Sequence, residues 1–177
     1  NFERINEVLS RELFTNNLIG DTLLTEYGEK LEAIYLPLYY RSELSVASRL
    51  RTMVEMPSPL SDEARTVNWK EFLADLATEN NVALTDQQQG AVRAALTNKL
   101  SILTGGPGTG KTTTLRMVIH ALEELDFSFA LASPTGRAAK RLSEATEHSA
   151  STIHRLLGYT PGEGFVYDED NPLDIDM

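Results

Sequence analysis

Gly105-Gly106-Pro107-Gly108-Thr109-Gly110-Lys111-Thr112 fits the spacing GxxxxGK(S/T), a pattern suited to holding a polyphosphate. Glycines allow backbone N–H groups to turn inward around one anion, and a helix that opens just after them aims its positive end at the same point. Lys111 is then placed to reach the terminal phosphates of a nucleotide, and the Thr112 hydroxyl to ligate magnesium. The pattern carries weight only if a strand precedes it and a helix follows. Ser101–Thr104 reads as a short buried strand, and residues 113–122 carry apolar side chains at helical spacing. A glycine-rich turn that binds nothing is the bland alternative, and the agreement of strand, loop and helix weighs against it.

Other residues with chemical potential lie on either side. Upstream, Leu84-Thr85-Asp86-Gln87-Gln88 opens a helix in which Thr85 and Gln88 have the spacing of a capping box. Gln88 also has a donor and an acceptor that could meet an adenine edge; the residues alone favour the cap. Downstream, residues 127–132 read as a second buried strand, so a strand at 101–104, a helix and this strand would form a right-handed parallel βαβ unit. Ser133-Pro134-Thr135-Gly136-Arg137 then turns into a helix at the C-terminal edge of that strand, where ligands of open α/β sheets bind. Thr135, Gly136 and the cations Arg137, Lys140 and Arg141 suit phosphate, although a solvated basic face beside Glu144 and Glu147 explains them equally well. Residues 151–159 read as a short helix capped by Ser151 or Thr152 and stopped by Gly158. His120, His148 and His154 are too scattered for a zinc site, and His154 alone is more simply a packed residue.

The helices and strands that must position these groups fall into two parts. Residues 2–14 form a one-faced amphipathic pattern, residues 22–37 alternate as a hairpin around Tyr27-Gly28-Glu29-Lys30, and residues 38–55 return to helical spacing. This first part, residues 1–56, reads as a small winged-helix-like module that contacts DNA or a partner. Pro57 and Pro59 mark a linker over residues 57–68. Residues 69–177 follow, beginning with an amphipathic helix anchored by Trp69. The net charge of −10 argues against a nucleic-acid partner, but it is unevenly spread: residues 1–83 sum to −6, residues 84–160 to +2 and residues 161–177 to −6. The absence of cysteine excludes a disulfide scaffold and thiolate metal sites. With no long apolar run and no signal pattern, a soluble cytoplasmic chain without a membrane partner is expected. Beginning at Asn1 and ending at Met177 without a closing element, it reads as a piece of a longer protein.

Taken in order, the segments 84–88, 103–113, 133–142 and 151–158 resemble the Q motif, motif I, motif Ia and the following motif of superfamily-one helicases, most closely RecD-like DNA helicases, the exodeoxyribonuclease V alpha subunit family, in their stand-alone form. The resemblance implies an α/β fold: part of a RecA-like P-loop motor domain with a parallel βαβ unit, behind the small, mostly helical N-terminal module. It implies ATP and Mg2+ as cofactors, Gln88 as adenine reader, and Gly106, Gly108, Thr109, Gly110, Lys111, Thr112 and Thr113 around the nucleotide. It carries over Pro134, Thr135, Gly136, Arg137, Thr152 and His154 as single-stranded DNA contacts, with 5′ to 3′ movement. It also implies either a monomer or association with nuclease and helicase subunits of a repair complex. Family members continue into a strand ending Asp-Glu that this chain does not reach, so weak nucleotide binding without hydrolysis is expected of it. Another P-loop NTPase, such as a nucleotide kinase or AAA-type ATPase, accounts for the loop but not for Pro134–Arg137 and Thr152–His154. A non-catalytic docking module built on residues 1–56 is the third reading.

Overall fold

The computed structural model describes residues 2–58 and 66–177, and the chain divides into two compact units, Asn1–Glu55 and Met56–Met177. Most of the expected linker, residues 59–65, lies outside the described residues.

In the first unit the local signals are realised as helix, hairpin and helix. Helix α1 (Phe2–Phe14) precedes the antiparallel strands β1 (Ile19–Leu24) and β2 (Lys30–Tyr35), which pair from Ile19↔Tyr35 to Leu24↔Lys30. The hairpin closes through Thr25, whose hydroxyl accepts from the Glu29 N–H at 3.0 Å, and Gly28 supplies the positive φ of +79° that the turn needs. Helix α2 (Pro37–Glu55) opens on a proline, whose fixed φ suits a first helical position. The Tyr40 hydroxyl donates to Asp21 Oδ2 at 3.2 Å and its ring lies 5.3 Å from that of Tyr35. None of the described residues of this unit is buried, and the apolar face of α1 exposes Phe2, Ile5 and Val8.

The second unit contains the core. Helices α3 (Trp69–Glu79), α4 (Asp86–Thr97) and α5 (Lys111–Glu124) bury Leu73 and Leu76, Val92 and Leu96, and Met117, Val118 and Leu122 against one another. Trp69 meets Phe72 edge to face at 5.9 Å and packs beside this cluster as the expected apolar anchor. Strand β3 (Leu131–Ser133), helix α6 (Gly136–Thr146), strand β4 (Ala150–Thr152) and the short helix α7 (Ile153–Leu156) follow.

The strands are where the sequence reading needs correction. A parallel βαβ unit is present, but it is β3–α6–β4, with Leu131↔Ala150 and Ser133↔Thr152 in register, rather than a pairing of residues 101–104 with 127–132. Residues 101–104 form no ladder, and Ile102 is 77 % exposed. A strand exists only through a hydrogen-bonding neighbour, and among the described residues none lies alongside this segment. The segment 127–130 is outside the β3 ladder as well. It is bonded instead to the C-terminal residues: the Met177 N–H donates to the Ser128 carbonyl at 3.1 Å and the Ala130 N–H to the Met177 carbonyl at 2.9 Å, which is the spacing of a parallel pair. The Asp176 carboxylate accepts from the Ser128 hydroxyl at 2.7 Å and backbone N–H at 2.8 Å, which together hold it below the usual carboxylate range. Strand β4 takes Ser151 and Thr152 from the start of the stretch read as helix, because three residues are too few for any periodicity to show.

Candidate functional site

The glycine-rich loop turns into α5 through Gly110, which sits at the N-cap in the left-handed region with φ +80°. Gly108 has φ +76° and Gly105 φ +157°. A Cβ on Gly105 would come within 2.6 Å of Thr109 Oγ1, and one on Gly110 would collide with Gln88 Nε2. Both positions need glycine for backbone freedom, and a side chain at Gly110 would also displace the end of Gln88. Lys111 folds back over the loop, its Nζ donating to the carbonyls of Gly105 and Gly106 at 2.6 Å each, while the Thr109 hydroxyl donates to the Gly106 carbonyl at 2.9 Å. Thr112 is exposed at the first turn of α5 and Thr113 is half-buried behind it. Thr114 is buried, with its hydroxyl donating to the Gly110 carbonyl at 3.1 Å.

Gln88 is positioned by the capping box of α4. Its Oε1 accepts from the Thr85 N–H at 3.0 Å and the Thr85 hydroxyl accepts from the Gln88 N–H at 3.3 Å. The capping account is thus the arrangement present, and the same geometry leaves the amide nitrogen of Gln88 against Gly110. Thr85, Gln88, Thr104, Gly105, Thr109 and Lys111 line a cleft of about 370 Å³, within the range of ~300–1,000 Å³ for small-molecule sites. The cleft is bounded by Gly105, where a Cβ would run into Thr109, holds the Lys111 ammonium, and opens where α5 begins, with Thr112 exposed on the first turn of that helix. This donor set fits a magnesium-bound polyphosphate.

The second group of predicted residues gathers at one edge of the β3–β4 sheet. Both strands are parallel and end together at Ser133 and Thr152, so the chain emerges from them side by side. Thr135 caps α6, accepting from the Ala138 N–H at 3.3 Å, and Thr152 caps α7, accepting from the Arg155 N–H at 3.2 Å. Thr152, rather than Ser151, is the cap. Pro134, Gly136 and Arg137 are exposed, and Lys140 lies 3.8 Å from Glu144 on the solvent side of α6. His154 is drawn into a ring cluster, 5.2 Å from Tyr159 and 5.8 Å from Phe165. Tyr159 and Phe165 were not foreseen as site residues; the only available signal was two aromatics six residues apart around the turn formers Pro161 and Gly162.

A second unforeseen cluster ties α5 to the end of α6. His148 meets two acceptors, Glu123 Oε1 at 2.7 Å through Nε2 and the Thr146 carbonyl at 2.8 Å through Nδ1. Both ring nitrogens must donate to satisfy them, so the Thr146 carbonyl and then the Glu123 carboxylate push the His148 pKa up, and His148 holds that of Glu123 down. His120 Nδ1 lies 3.3 Å from the other oxygen of Glu123. Among the described residues no group of three or more His, Cys, Asp or Glu is arranged to hold a metal, and no helix is long and apolar enough to cross a membrane.

The model of an AAA domain matches residues 88–177, the interval that holds Gln88, the loop and both capped helices. Among curated proteins, the ATP-dependent RecD2 DNA helicase of Deinococcus radiodurans is 38 % identical over 144 residues, covering 81 % of this chain and 19 % of that protein. The RecBCD enzyme subunit RecD of Mycobacterium tuberculosis is 33 % identical over 179 residues, covering 88 % of this chain and 29 % of its own length. The corresponding subunit of Haemophilus influenzae is 36 % identical over 118 residues, 52 % of this chain and 18 % of that subunit. The chain thus spans less than a third of the length of these relatives. It belongs to the AAA domain family and, within it, to the RecD-like proteins.

Proposed function

We propose that the chain is part of the motor of an ATP-dependent DNA helicase, binding Mg-ATP in the cleft between α4 and the glycine loop and single-stranded DNA at the edge where α6 and α7 begin. The observation that carries the reading is the loop: three glycines at positive φ, with Lys111 folded over them, at the N-terminus of a helix. In this reading Gly106, Gly108, Thr109 and Gly110 surround the phosphates, with Thr113 behind them. Lys111, which now holds two loop carbonyls, would bind terminal phosphate oxygens, the Thr112 hydroxyl would ligate magnesium, and Gln88 would read adenine as in a Q motif. The bound nucleotide supplies the free energy of phosphoryl transfer; this chain's residues hold and orient it. The neighbouring caps put Thr135, Gly136 and Arg137 beside Thr152 and His154, a surface that tracks a backbone without reading sequence, and 5′ to 3′ movement follows from the family likeness alone. A nucleotide kinase would leave that second surface without a purpose.

Two relatives carry the name of a RecBCD subunit and one the name of a helicase in its own right, so nuclease and helicase subunits are proposed as partners if the protein does not act as a monomer. The first unit, winged-helix-like in its order of elements, is proposed to face such a partner or DNA, since its apolar residues are exposed. Calorimetric titration with Mg-ATP tests the central reading. Binding is expected, and Lys111→Ala should weaken it at least about tenfold, the loss of a charge-assisted contact. Unchanged affinity in that variant would refute the site.

A further inference from the structure

We propose that Tyr159 and Phe165, backed by His154, form a base-stacking surface for single-stranded DNA at the edge where α6 and α7 begin, an inference that rests on the DNA reading above.

The three rings form a closed triangle: the Tyr159 and Phe165 centroids are 5.0 Å apart, and His154 stands 5.2 and 5.8 Å from them. The cluster is no part of the core, which lies between α3, α4 and α5. Tyr159 is 44 % exposed and Phe165 45 % exposed. Both rings thus keep surface within reach of a ligand, and every nucleic-acid base offers a π-face to stack on it.

The backbone holds these rings in place. Thr160 and Gly164 exchange two hydrogen bonds, at 2.8 and 2.9 Å, closing a tight turn that brings Tyr159 and Phe165 together on its two sides. The Tyr159 N–H donates to the His154 carbonyl at 2.8 Å and the Val166 N–H to the Leu157 carbonyl at 3.0 Å, so the two arms of the turn are anchored on α7 and on its C-cap residue Leu157. Gly158, at φ +65°, allows Val166 to lie so close that a Cβ there would meet it at 3.0 Å. A platform fixed before binding loses little side-chain entropy when a base settles on it.

Charge gives the strand an orientation. Arg137, Lys140 and Arg141 belong to α6 and Arg155 to α7, the helices that open at the strand ends, while Glu163 lies in the Thr160–Gly164 turn and Asp168, Glu169 and Asp170 follow it in the chain. Asp168 is committed to its own turn, accepting from the Asp170 and Asn171 N–H groups at 3.0 Å. Phosphates are drawn toward α6 and repelled from the turn, which leaves the bases to face the rings.

The test compares a fluorescently labelled oligothymidine with an abasic strand of the same length and phosphate count, by anisotropy titration of this chain. Tyr159→Ala and Phe165→Ala should each weaken oligothymidine binding roughly 5- to 150-fold, the range for loss of one stacked base. The same changes should leave the abasic strand unaffected, and Tyr159→Phe should retain affinity. Phe165→Leu keeps apolar volume but removes the π-face, so an equivalent loss there separates stacking from a folding defect. Arg137→Ala should weaken both strands alike. In the wild-type chain, a 5-iododeoxyuridine strand should photo-cross-link to Tyr159 or Phe165. An unchanged ratio of oligothymidine to abasic affinity across the ring variants, or cross-links elsewhere only, overturns the platform and leaves the DNA reading intact. If neither strand binds the wild-type chain, both fall.

Discussion

Gly110 does two things at one Cα: it adopts φ +80° to start α5, and it leaves room for the Gln88 amide. Gly110→Ala should therefore cost about 1–2 kcal/mol for the left-handed backbone alone, with a further loss from displacing Gln88. Urea denaturation and Mg-ATP titration of the same variant should show both effects. At the other end of α5, the Glu123–His148 pair makes stability depend on pH. The raised pKa of His148 adds stability that is complete below its ordinary value of 6.5 and is lost as pH rises through the raised one. The lowered pKa of Glu123 adds stability above its ordinary 4.5 that is lost as pH falls through the lowered one. The pair is strongest between those ordinary values. Because both side chains are partly in water, the effect should be about 0.2–1 kcal/mol; in His148→Gln the fall in melting temperature above pH 6.5 should flatten. The glycines and threonines were legible because loop and cap chemistry is local, within three or four residues. His148–Glu123, 25 positions apart, and the His154 ring cluster depend on how elements fold back, which spacing does not encode.

Helices carried most of what could be read at the level of elements. The periodicity of residues 2–14 and 69–80 and the capping box at Thr85 appear as α1, α3 and the start of α4, because a helix satisfies its own backbone. The strands were misplaced for the converse reason: Ile102 and Leu103 have strand composition, yet no neighbour pairs with them among the described residues. Thr85→Ala removes one of the two reciprocal bonds of the box and should cost about 1 kcal/mol. Leu96→Ala, at a fully buried site facing α5, should cost about 2–5 kcal/mol. Thermal unfolding of the two variants should reproduce that ordering.

The two units differ in how much they bury. The second has a core of leucine, valine and methionine from three helices, whereas no described residue of the first is buried. Amide hydrogens of residues 2–55 should thus exchange far faster than those of 92–96 and 117–122, since opening them uncovers little new apolar surface. Mass-spectrometric exchange on the intact chain measures this directly, and equal protection of the two stretches would contradict it. The sparse burial of the first unit was not legible in the sequence, since an amphipathic pattern shows which face seeks cover and not whether it finds it.

One consequence of the Thr85–Gln88 box reaches into ligand chemistry. An adenine edge takes one donor and one acceptor from a glutamine, and one lone pair of the Gln88 oxygen already accepts from the Thr85 N–H. A base that draws this oxygen away from Thr85 trades an intramolecular bond for an intermolecular one. ATP should then loosen the Thr85 amide while inorganic tripolyphosphate, filling the same loop without a base, leaves it locked, so that the helix end itself distinguishes a nucleotide from a bare phosphate chain.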